Sequence, residues 1–394
     1  MKKIALLSVF DVNNYGSMLQ TYAMQQVLTQ LGCESEIINY KRKSLKSQFL
    51  RIFDKTLLKA KLNFLYRDFY GKYVDKELGA YFKNRDIVFD SFVLEYCKLS
   101  DVIHNRTELT KKMYDYDTVL VGSDQVWNPT NLKKDYYTMT FVPSEIRKVA
   151  YSSSFGVSSI PNNQKEVTAK YLSRINHIGV RELSGKKIIK ELTGRDVPVV
   201  ADPTILLSND LWAELIDDKP LIERDYIMCY FLGSNPKHRD FVRKLKIMTG
   251  FNIVTIPHCD GIVKADFGFG DIIPQGVGPK EFLNLIKNAK YVCTDSFHCC
   301  VFAMLNKIDF SIFSRFGHKA SKSTSTNSRI HSFLSITGLE NRLMDDDAIP
   351  TSDLIHNIDY DLVALRLEKL RKNSFDYLRN AVDIKNENIN KNKE

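Results

Sequence analysis

The stretch Tyr291–Asn306, YVCTDSFHCCVFAMLN, joins a short apolar strand to a helix through a polar turn. The first N–H groups of a helix have no partner within it, so such a turn places several donors at a sheet edge, where an anion can bind. His298 lies in this turn, and its imidazole would be able to give a proton to the anion. In the alternative interpretation, Asp295 or Ser296 caps the helix and His298 only faces solvent. The stretch alone leaves both interpretations open.

The beginning of the chain shows the same succession of strand, loop and helix. An apolar strand at residues 4–10 is followed by a polar loop, the helix MLQTYAMQQVLTQLG and a second strand at residues 36–40. This βαβ pattern predicts a parallel sheet that binds ligands at the carboxyl ends of its strands. The loop lacks the GxGxxG pattern of dinucleotide sites. Asn14 and Tyr15 nevertheless place an amide and a phenol at the expected edge.

Strands and helices then alternate in two separate series. The first ends with a predicted strand at residues 197–207, and a polar connection at 208–225 leads to the second. This pattern predicts an α/β protein with two Rossmann-like domains facing a cleft. We expect an N-terminal domain at 1–215 with a basic helical insertion at about 44–99, a C-terminal domain at 216–355, and a helix with a frayed tail at 356–394.

Composition excludes several classes of protein. The chain has 394 residues, is 44% hydrophobic and contains no apolar run long enough to span a membrane. Its seven cysteines show no CxxC spacing, which favours a reducing cytoplasm. Cys299 and Cys300 lie in the first turn of a predicted helix and are interpreted as core thiols rather than metal ligands. We therefore predict neither a metal nor a cofactor.

The net charge of +9 is concentrated in one segment. Between Lys41 and Lys72 there are ten basic and two acidic residues, and the apolar residues recur at helical spacing. No nucleic-acid recognition motif accompanies them, so we do not predict nucleic-acid binding. A basic amphipathic helix can lie on an anionic membrane surface. Alternatively, the helix packs on the domain and exposes only its basic face to solvent.

Two further strand ends carry polar residues. The loop GSDQVWNP after Thr118–Val121 contains Asp124, Gln125 and Trp127, a combination that can hold a sugar through a carboxylate and a stacked indole. In the alternative, Asp124 caps a turn and Trp127 lies in the core. Arg181 falls near the end of the strand HIGVRE, where a charge can emerge from the sheet edge.

Taken together, several loop motifs resemble the polysaccharide pyruvyl transferase family. They occur in the family's order between about residues 4 and 340: NNYGSMLQTYAMQQVL, VGSDQVWNP, AYSSSFG, GVRE, ADPTILL, TDSFHCC and RIHSFLSITGL. The resemblance implies a fold like that of the glycosyltransferases of the B type. It also implies transfer of pyruvyl from phosphoenolpyruvate to two hydroxyls of a sugar, which gives a cyclic ketal and inorganic phosphate. The family acts on precursors of capsules and exopolysaccharides, often linked to lipid.

The resemblance also assigns roles to residues. It places Arg181 and His298 at the donor, and it leads us to expect a further cation, for which Arg329 and Lys319 are both candidates. Ser296 is expected at the donor as well. For the acceptor we expect Asn14, Tyr15, Asp124, Gln125 and Trp127. The basic insertion would hold a cytoplasmic enzyme at the inner face of the cell membrane, near a sugar linked to polyprenyl diphosphate.

Two other functions are compatible with the sequence. One is a nucleotide-sugar-dependent glycosyltransferase of the same fold, which would need a carboxylate for the ribose in the C-terminal half. The other is a non-catalytic partner that binds sugar or lipid during polysaccharide assembly. The presence of both Arg181 and His298 favours an enzyme over a passive partner.

Overall fold

The apolar strands of the N-terminal half form one parallel sheet in the computed structural model, which describes residues 1–41, 55–258, 262–315, 328–355 and 357–384. The sheet order is β2-β1-β3-β4-β5. Its strands and the helices that accompany them are β1 (Lys2–Leu7), α1 (Tyr15–Gln30), β2 (Cys33–Ile37), α2 (Lys55–Tyr73), α3 (Lys76–Tyr96), α4 (Arg106–Lys112), β3 (Thr118–Val121), β4 (Arg147–Ser153), α5 (Asn162–Ser173), β5 (His177–Val180), α6 (Leu183–Thr193), α7 (Pro203–Leu206) and α8 (Asn209–Leu215).

A second parallel sheet follows in the C-terminal half, with the order β10-β9-β8-β6-β7. Its elements are β6 (Tyr226–Tyr230), α9 (Pro236–Thr249), β7 (Asn252–Thr255), α10 (Pro279–Lys287), β8 (Tyr291–Thr294), α11 (Phe297–Leu305), β9 (Phe310–Phe313), α12 (Ser328–Thr337), β10 (Leu343–Met344) and α13 (Tyr360–Ala381). The predicted α/β fold with two Rossmann-like halves is confirmed.

Helix α1 connects the two halves. Asn14 caps it by accepting a hydrogen bond from the Ser17 N–H, and nearly every residue of the helix is buried. At its first position, the Tyr15 ring stacks on Phe282 with centroids 4.4 Å apart, and its hydroxyl donates to the Val277 carbonyl. The amino end of α1 is therefore held against the C-terminal half.

Helices α2 and α3 occupy the described part of the predicted insertion. Gly71 and Gly79 let their backbones approach closely, because a Cβ added at Gly71 would lie 2.6 Å from Gly79 Cα. Arg85 of α3 is fully buried and donates to the carbonyls of Pro257 and His258 in the C-terminal half. The insertion therefore packs across both halves of the molecule.

Helix α13 returns to the N-terminal half. The Tyr377 hydroxyl donates to the Ala150 carbonyl of β4, and Ser374 Oγ accepts from the Ala201 N–H. The prediction of a helix here is therefore confirmed, and the helix also contacts the C-terminal half, where the Tyr360 hydroxyl donates to the Ile308 carbonyl.

One predicted strand is wrong. Residues 197–207 were expected to extend the first sheet, but Val199 makes only an isolated bridge to Val180. Asp202 and Pro203 then begin the short helix α7, because the Asp202 carboxylate accepts from the Thr204 N–H and proline suits the first helical position. Among the described residues, no helix is both long and apolar enough to cross a membrane.

Candidate active site

The carboxyl ends of the two sheets face each other, and the turn after β8 lies between them. Ser296 caps α11 by accepting from the Cys299 N–H. Asp295 is fully buried and accepts from the N–H groups of Leu232 and Gly233 after β6. Ser296 is therefore the cap of that interpretation, whereas Asp295 joins the turn to the loop after β6.

His298 is not the solvent-facing residue of that interpretation. Only 7% of it is exposed, and its Nε2 atom lies 3.6 Å from Asp202 Oδ2 without a hydrogen-bond partner. The other side of its ring contacts α1, where a Cβ added at Gly16 would lie 2.1 Å from Nδ1. The imidazole is thus held between the C-terminal ends of the first sheet and the amino end of α1.

Asp202 joins the imidazole to Arg181. Arg181 Nη1 donates to Asp202 Oδ2 at 2.8 Å, and Ser123 Oγ donates to the same carboxylate oxygen at 2.7 Å. Burial by itself raises the pKa of Asp202, but His298, Arg181 and Ser123 together bring that pKa well below its ordinary value. Asp202 therefore remains an anion and orients the Arg181 guanidinium and the His298 imidazole.

Asp124 is the second carboxylate of the cluster. Its backbone has a φ of +77°, a conformation that a non-glycine residue rarely adopts. Its Oδ2 accepts from Ser17 Oγ at 2.7 Å, and its Oδ1 lies 3.8 Å from Arg181 Nη2 and 3.9 Å from Arg329 Nη1. Burial raises the pKa of Asp124, but Arg181, His298 and Arg329 outweigh burial and lower it overall. Asp124 is consequently charged and lies between two arginines.

Arg329 lies near the start of α12 and is buried. Burial and the neighbouring charge of Arg181 lower its pKa to about 9, although Asp124 opposes them. Arg315 follows β9 and donates to the Asp295 carbonyl at 3.4 Å. The cluster thus brings a third and a fourth basic side chain beside Arg181 and His298.

These basic groups share a feature that indicates an anion site. Several of their buried nitrogen atoms have no hydrogen-bond partner among the described residues, namely Arg181 Nε and Nη2, His298 Nε2, Arg315 Nε and Arg329 Nε. Buried polar atoms are normally paired, since an unpaired donor costs about 1–3 kcal/mol. One acceptor beside them also lacks a hydrogen-bond partner in the described part of the chain: Glu182 Oε2, next to Arg181 in the sequence. Donors outnumber acceptors, so the arrangement suits a ligand rich in anionic oxygen.

Two of the predicted acceptor residues are placed differently from our expectation. Tyr15 is fully buried in aromatic contacts between the two halves. Trp127 is 4% exposed, packs on Phe155 and Tyr171, and donates to the Tyr137 carbonyl. Neither ring offers a face to a sugar, so the core interpretation of Trp127 is correct. The sequence of a polar loop does not show whether an aromatic side chain in it points into the core or into solvent.

The other predicted residues have mixed outcomes. The structure brings Asp124, Arg181, His298 and Arg329 into one cluster, with Ser296 in the adjoining turn. Asn14 caps α1, and Gln125 lies against Gly156 at the edge of the cluster. Lys319 lies outside the described residues.

Sequence reasoning missed Asp202, Arg315 and Gly16 as members of the site. Arg315 follows β9, and Asp202 follows the bridge between Val199 and Val180, so their places in the chain were a usable signal. The contact of Gly16 with His298 had no such signal, because glycine carries no side chain that marks it as part of a site. Within the described ranges, no group of three or more His, Cys, Asp or Glu side chains is placed to hold a metal ion.

Comparisons with known proteins give one family match. The family model described as polysaccharide pyruvyl transferase matches residues 14–315. No curated protein matches the chain.

Several solved structures are similar at low identity. UDP-GlcNAc 2-epimerase from Neisseria meningitidis, bound to UDP-GlcNAc, is 12% identical with a TM-score of 0.44, over 94% of this chain and 100% of that one. Arabidopsis thaliana UGT89C1 complexed with UDP is 9% identical with a TM-score of 0.46, over 97% and 100%. E. coli ADP-heptose lps heptosyltransferase II is 9% identical with a TM-score of 0.37, over 95% and 99%.

The family match runs from Asn14 to Arg315 and includes strands of both sheets. It includes His298, Arg181, Asp202 and Asp124, while Arg329 follows it by fourteen residues. On this match, the chain belongs to the polysaccharide pyruvyl transferase family.

Proposed function

We propose that this protein transfers pyruvyl from phosphoenolpyruvate to two hydroxyls of a sugar in a surface-polysaccharide precursor. The products would be a cyclic pyruvate ketal and inorganic phosphate. The observation that carries the proposal is the set of buried nitrogen atoms on Arg181, His298, Arg315 and Arg329 that have no hydrogen-bond partner within the part of the chain that the structure describes. Family membership supports pyruvyl transfer in general, and the donor and the ketal are our inference.

Phosphoenolpyruvate carries a carboxylate and a phosphate, so its site must supply several fixed cations. Guanidinium groups suit both anions because they donate two parallel hydrogen bonds. The pKa of Arg329 is lowered by burial and by Arg181, which means that its charge is only partly balanced in the free protein. A bound anion would restore that balance, and this favours a donor with more than one negative charge.

The reaction requires protonation of the donor's methylene carbon and loss of its phosphate. We assign the proton donor to His298, whose Nε2 is unpartnered and whose ring is held by Asp202 and α1. Addition of the first sugar hydroxyl to the central carbon follows, and phosphate then leaves with the C–O electron pair. The second hydroxyl closes the ketal. One of the two hydroxyl protons restores the proton that His298 gave to the methylene carbon. The other leaves with phosphate.

We place the acceptor beside Asp124 at the carboxyl end of β3. The lowered pKa of Asp124 makes it a weak base, so its proposed role is to accept a hydrogen bond from a sugar hydroxyl and align it. Asn14 and Gln125 lie on the same side and would offer amide groups. We propose a lipid-linked sugar as acceptor and the cytoplasm as compartment, and the six unbonded cysteines of the described residues fit a reducing environment.

The test is phosphate release from phosphoenolpyruvate with a panel of lipid-linked and aryl-linked sugars that carry adjacent or 1,3-related hydroxyls. We expect release with particular sugars, a product heavier by one pyruvate ketal, and a fall of about 100-fold or more in His298→Gln and Arg329→Met. Arg243→Met, an exposed arginine on α9, is the matched control and should retain activity.

The proposal fails if no sugar supports release. Release that is unaffected by His298→Gln would reject the assigned proton donor alone. If the protein binds a nucleotide sugar and not phosphoenolpyruvate, a glycosyltransferase activity would replace the proposal.

A further inference from the structure

Helix α2 exposes an apolar stripe that nothing in the described chain covers. Its side chains are each 55% to 64% exposed, although they are leucine, tyrosine and phenylalanine. They recur at intervals of three and four residues, so they share one face of the helix. The α2 stripe consists of Leu62, Leu65, Tyr66, Phe69 and Tyr73, and Val74 continues it beyond the helix.

The opposite face of α2 is firmly packed, which settles the orientation of the stripe. Arg67 is 3% exposed, lies 5.1 Å from the Phe82 ring centroid and pairs with Asp86 of α3 at 3.2 Å. Gly71 lies directly against Gly79. The helix therefore cannot turn its apolar face inward without breaking these contacts.

The same contacts join α2 to the loop that precedes α1. Asp86 accepts from Asn13 Nδ2 through its other carboxylate oxygen, and Asn13 directly precedes the capping residue Asn14. Helix α2, Asp86 and the loop before α1 thus form a connected chain of contacts. A surface that covers the stripe would lie near the loop that begins the site.

We infer that the α2 stripe docks on an anionic membrane surface. A contiguous apolar surface that a protein leaves exposed usually marks an interaction site. The segment Lys41–Lys72, which contains most of the stripe, has ten basic and two acidic residues. An anionic bilayer attracts such a segment, whereas a second copy of the chain would bring two segments of like charge together. Tyr66 and Tyr73 also suit the boundary between lipid and water, where aromatic rings with a polar end accumulate.

This inference concerns where the protein lies and does not depend on the proposed donor. The experiment is co-sedimentation with phosphatidylcholine vesicles that contain or lack phosphatidylglycerol. We expect binding only when phosphatidylglycerol is present, and weaker binding at high salt. In the double variant Leu65→Ser, Phe69→Ser the partition coefficient should fall about 100-fold, because two apolar side chains no longer enter the interface.

Two further variants separate the causes. Lys72→Gln should lower binding by about fivefold, as expected for one cation near the surface. Ile247→Ser removes an 84% exposed apolar residue from α9 in the other half and should leave binding unchanged. Because the substituted side chains are exposed, we expect the same urea midpoint for all variants.

Three results would overturn the inference. Equal binding to vesicles with and without phosphatidylglycerol would show that the charge of the bilayer does not contribute to binding. Equal binding of wild type and the double variant would show that the α2 stripe does not contribute. A concentration-dependent dimer in sedimentation velocity, abolished by the double variant in a protein that does not bind vesicles, would assign the stripe to a second copy of the chain.

Discussion

Gly16 has no side chain and so leaves room for the imidazole of His298. A Cβ at this position would lie 2.1 Å from His298 Nδ1, so in Gly16→Ala the ring must move. We expect pyruvyl transfer to fall about 100-fold, since a displacement of about 1 Å in a catalytic group can cost that much. The free energy of unfolding should fall by about 1–3 kcal/mol, because the added methyl group overpacks a buried contact and the helix propensity of alanine offsets only part of that cost. Phosphate release and urea unfolding measure the two effects.

Gly185→Ala is the matched control for that substitution. Gly185 is also a buried helical glycine, but its added Cβ would meet its nearest neighbours at 3.4 Å or more, an ordinary contact. We expect full activity in this variant. Full activity in Gly16→Ala as well would show that the contact with α1 does not position the imidazole.

Asp202 links the stability of the protein to pH. Its folded-state pKa lies below the ordinary value of 3.8, so its charge stabilises the fold above about pH 4, and this contribution is lost as pH falls toward the folded-state pKa. Asp202→Asn should lower the free energy of unfolding by about 3 kcal/mol at pH 7, because it leaves Arg181 without its buried partner. The difference from wild type should persist down to about pH 4 and shrink below it.

Urea unfolding at a series of pH values tests this expectation. Asp196→Asn removes an exposed carboxylate that pairs with Lys186, and it should cost less than about 1 kcal/mol at any pH. Suppose that the difference in the free energy of unfolding between Asp202→Asn and wild type grows as pH falls below 4. That result would contradict the assignment of a lowered pKa to Asp202.

The sequence predicted part of this cluster for a physical reason. Arg181 and His298 each follow a strand, and the expected cleft faces the carboxyl ends of both sheets, so the presence of both residues at the cleft could be predicted. Their shared contact with Asp202 could not. The inward direction of Tyr15 and Trp127 was not accessible, since residue type and spacing do not distinguish a loop side chain that enters the core. The catalytic and binding roles of the clustered residues remain predictions.

Arg85 is one of the side chains of α3 that hold the insertion against the C-terminal half. Arg85 donates to two carbonyls, those of Pro257 and His258, from a fully buried position. Arg85→Met keeps the length of the side chain and removes both donors, so two buried carbonyls lose a partner. We expect a loss of about 3 kcal/mol in the free energy of unfolding by urea. Lys83→Met, an exposed position on the same helix, should change it by less than about 1 kcal/mol.

The helices and strands were predicted well where periodicity was strong and poorly where one residue decided the structure. Apolar runs predicted most strands of both sheets but not β10, and the regular spacing of leucines predicted α13. The segment 197–207 is apolar enough for a strand, yet the capping carboxylate of Asp202 and the ring of Pro203 turn it into α7. Apolar spacing in the insertion predicted α2 correctly but could not show that its apolar face is exposed.

The two halves share one hydrophobic core. A single cluster of buried residues contains Leu6 and Val149 from the first sheet together with Met228 and Val292 from the second. Helices α1 and α13 add contacts between segments that are far apart in sequence. Such a core should make the halves depend on each other for stability, in contrast to domains that meet through a small polar interface.

The two tryptophans of the chain allow this dependence to be measured. Trp127 lies in a separate core of the N-terminal half, whereas Trp212 packs between Tyr22 of α1 and Phe302 of α11, at the junction of the halves. In Trp212→Phe, fluorescence reports the N-terminal core, and in Trp127→Phe it reports the junction. Since the shared core must open before either half can unfold alone, we expect the fluorescence and far-ultraviolet circular dichroism transitions in urea to coincide in both variants. Separate transitions, with the junction lost first, would instead mean that the halves unfold as independent domains joined by a weak contact.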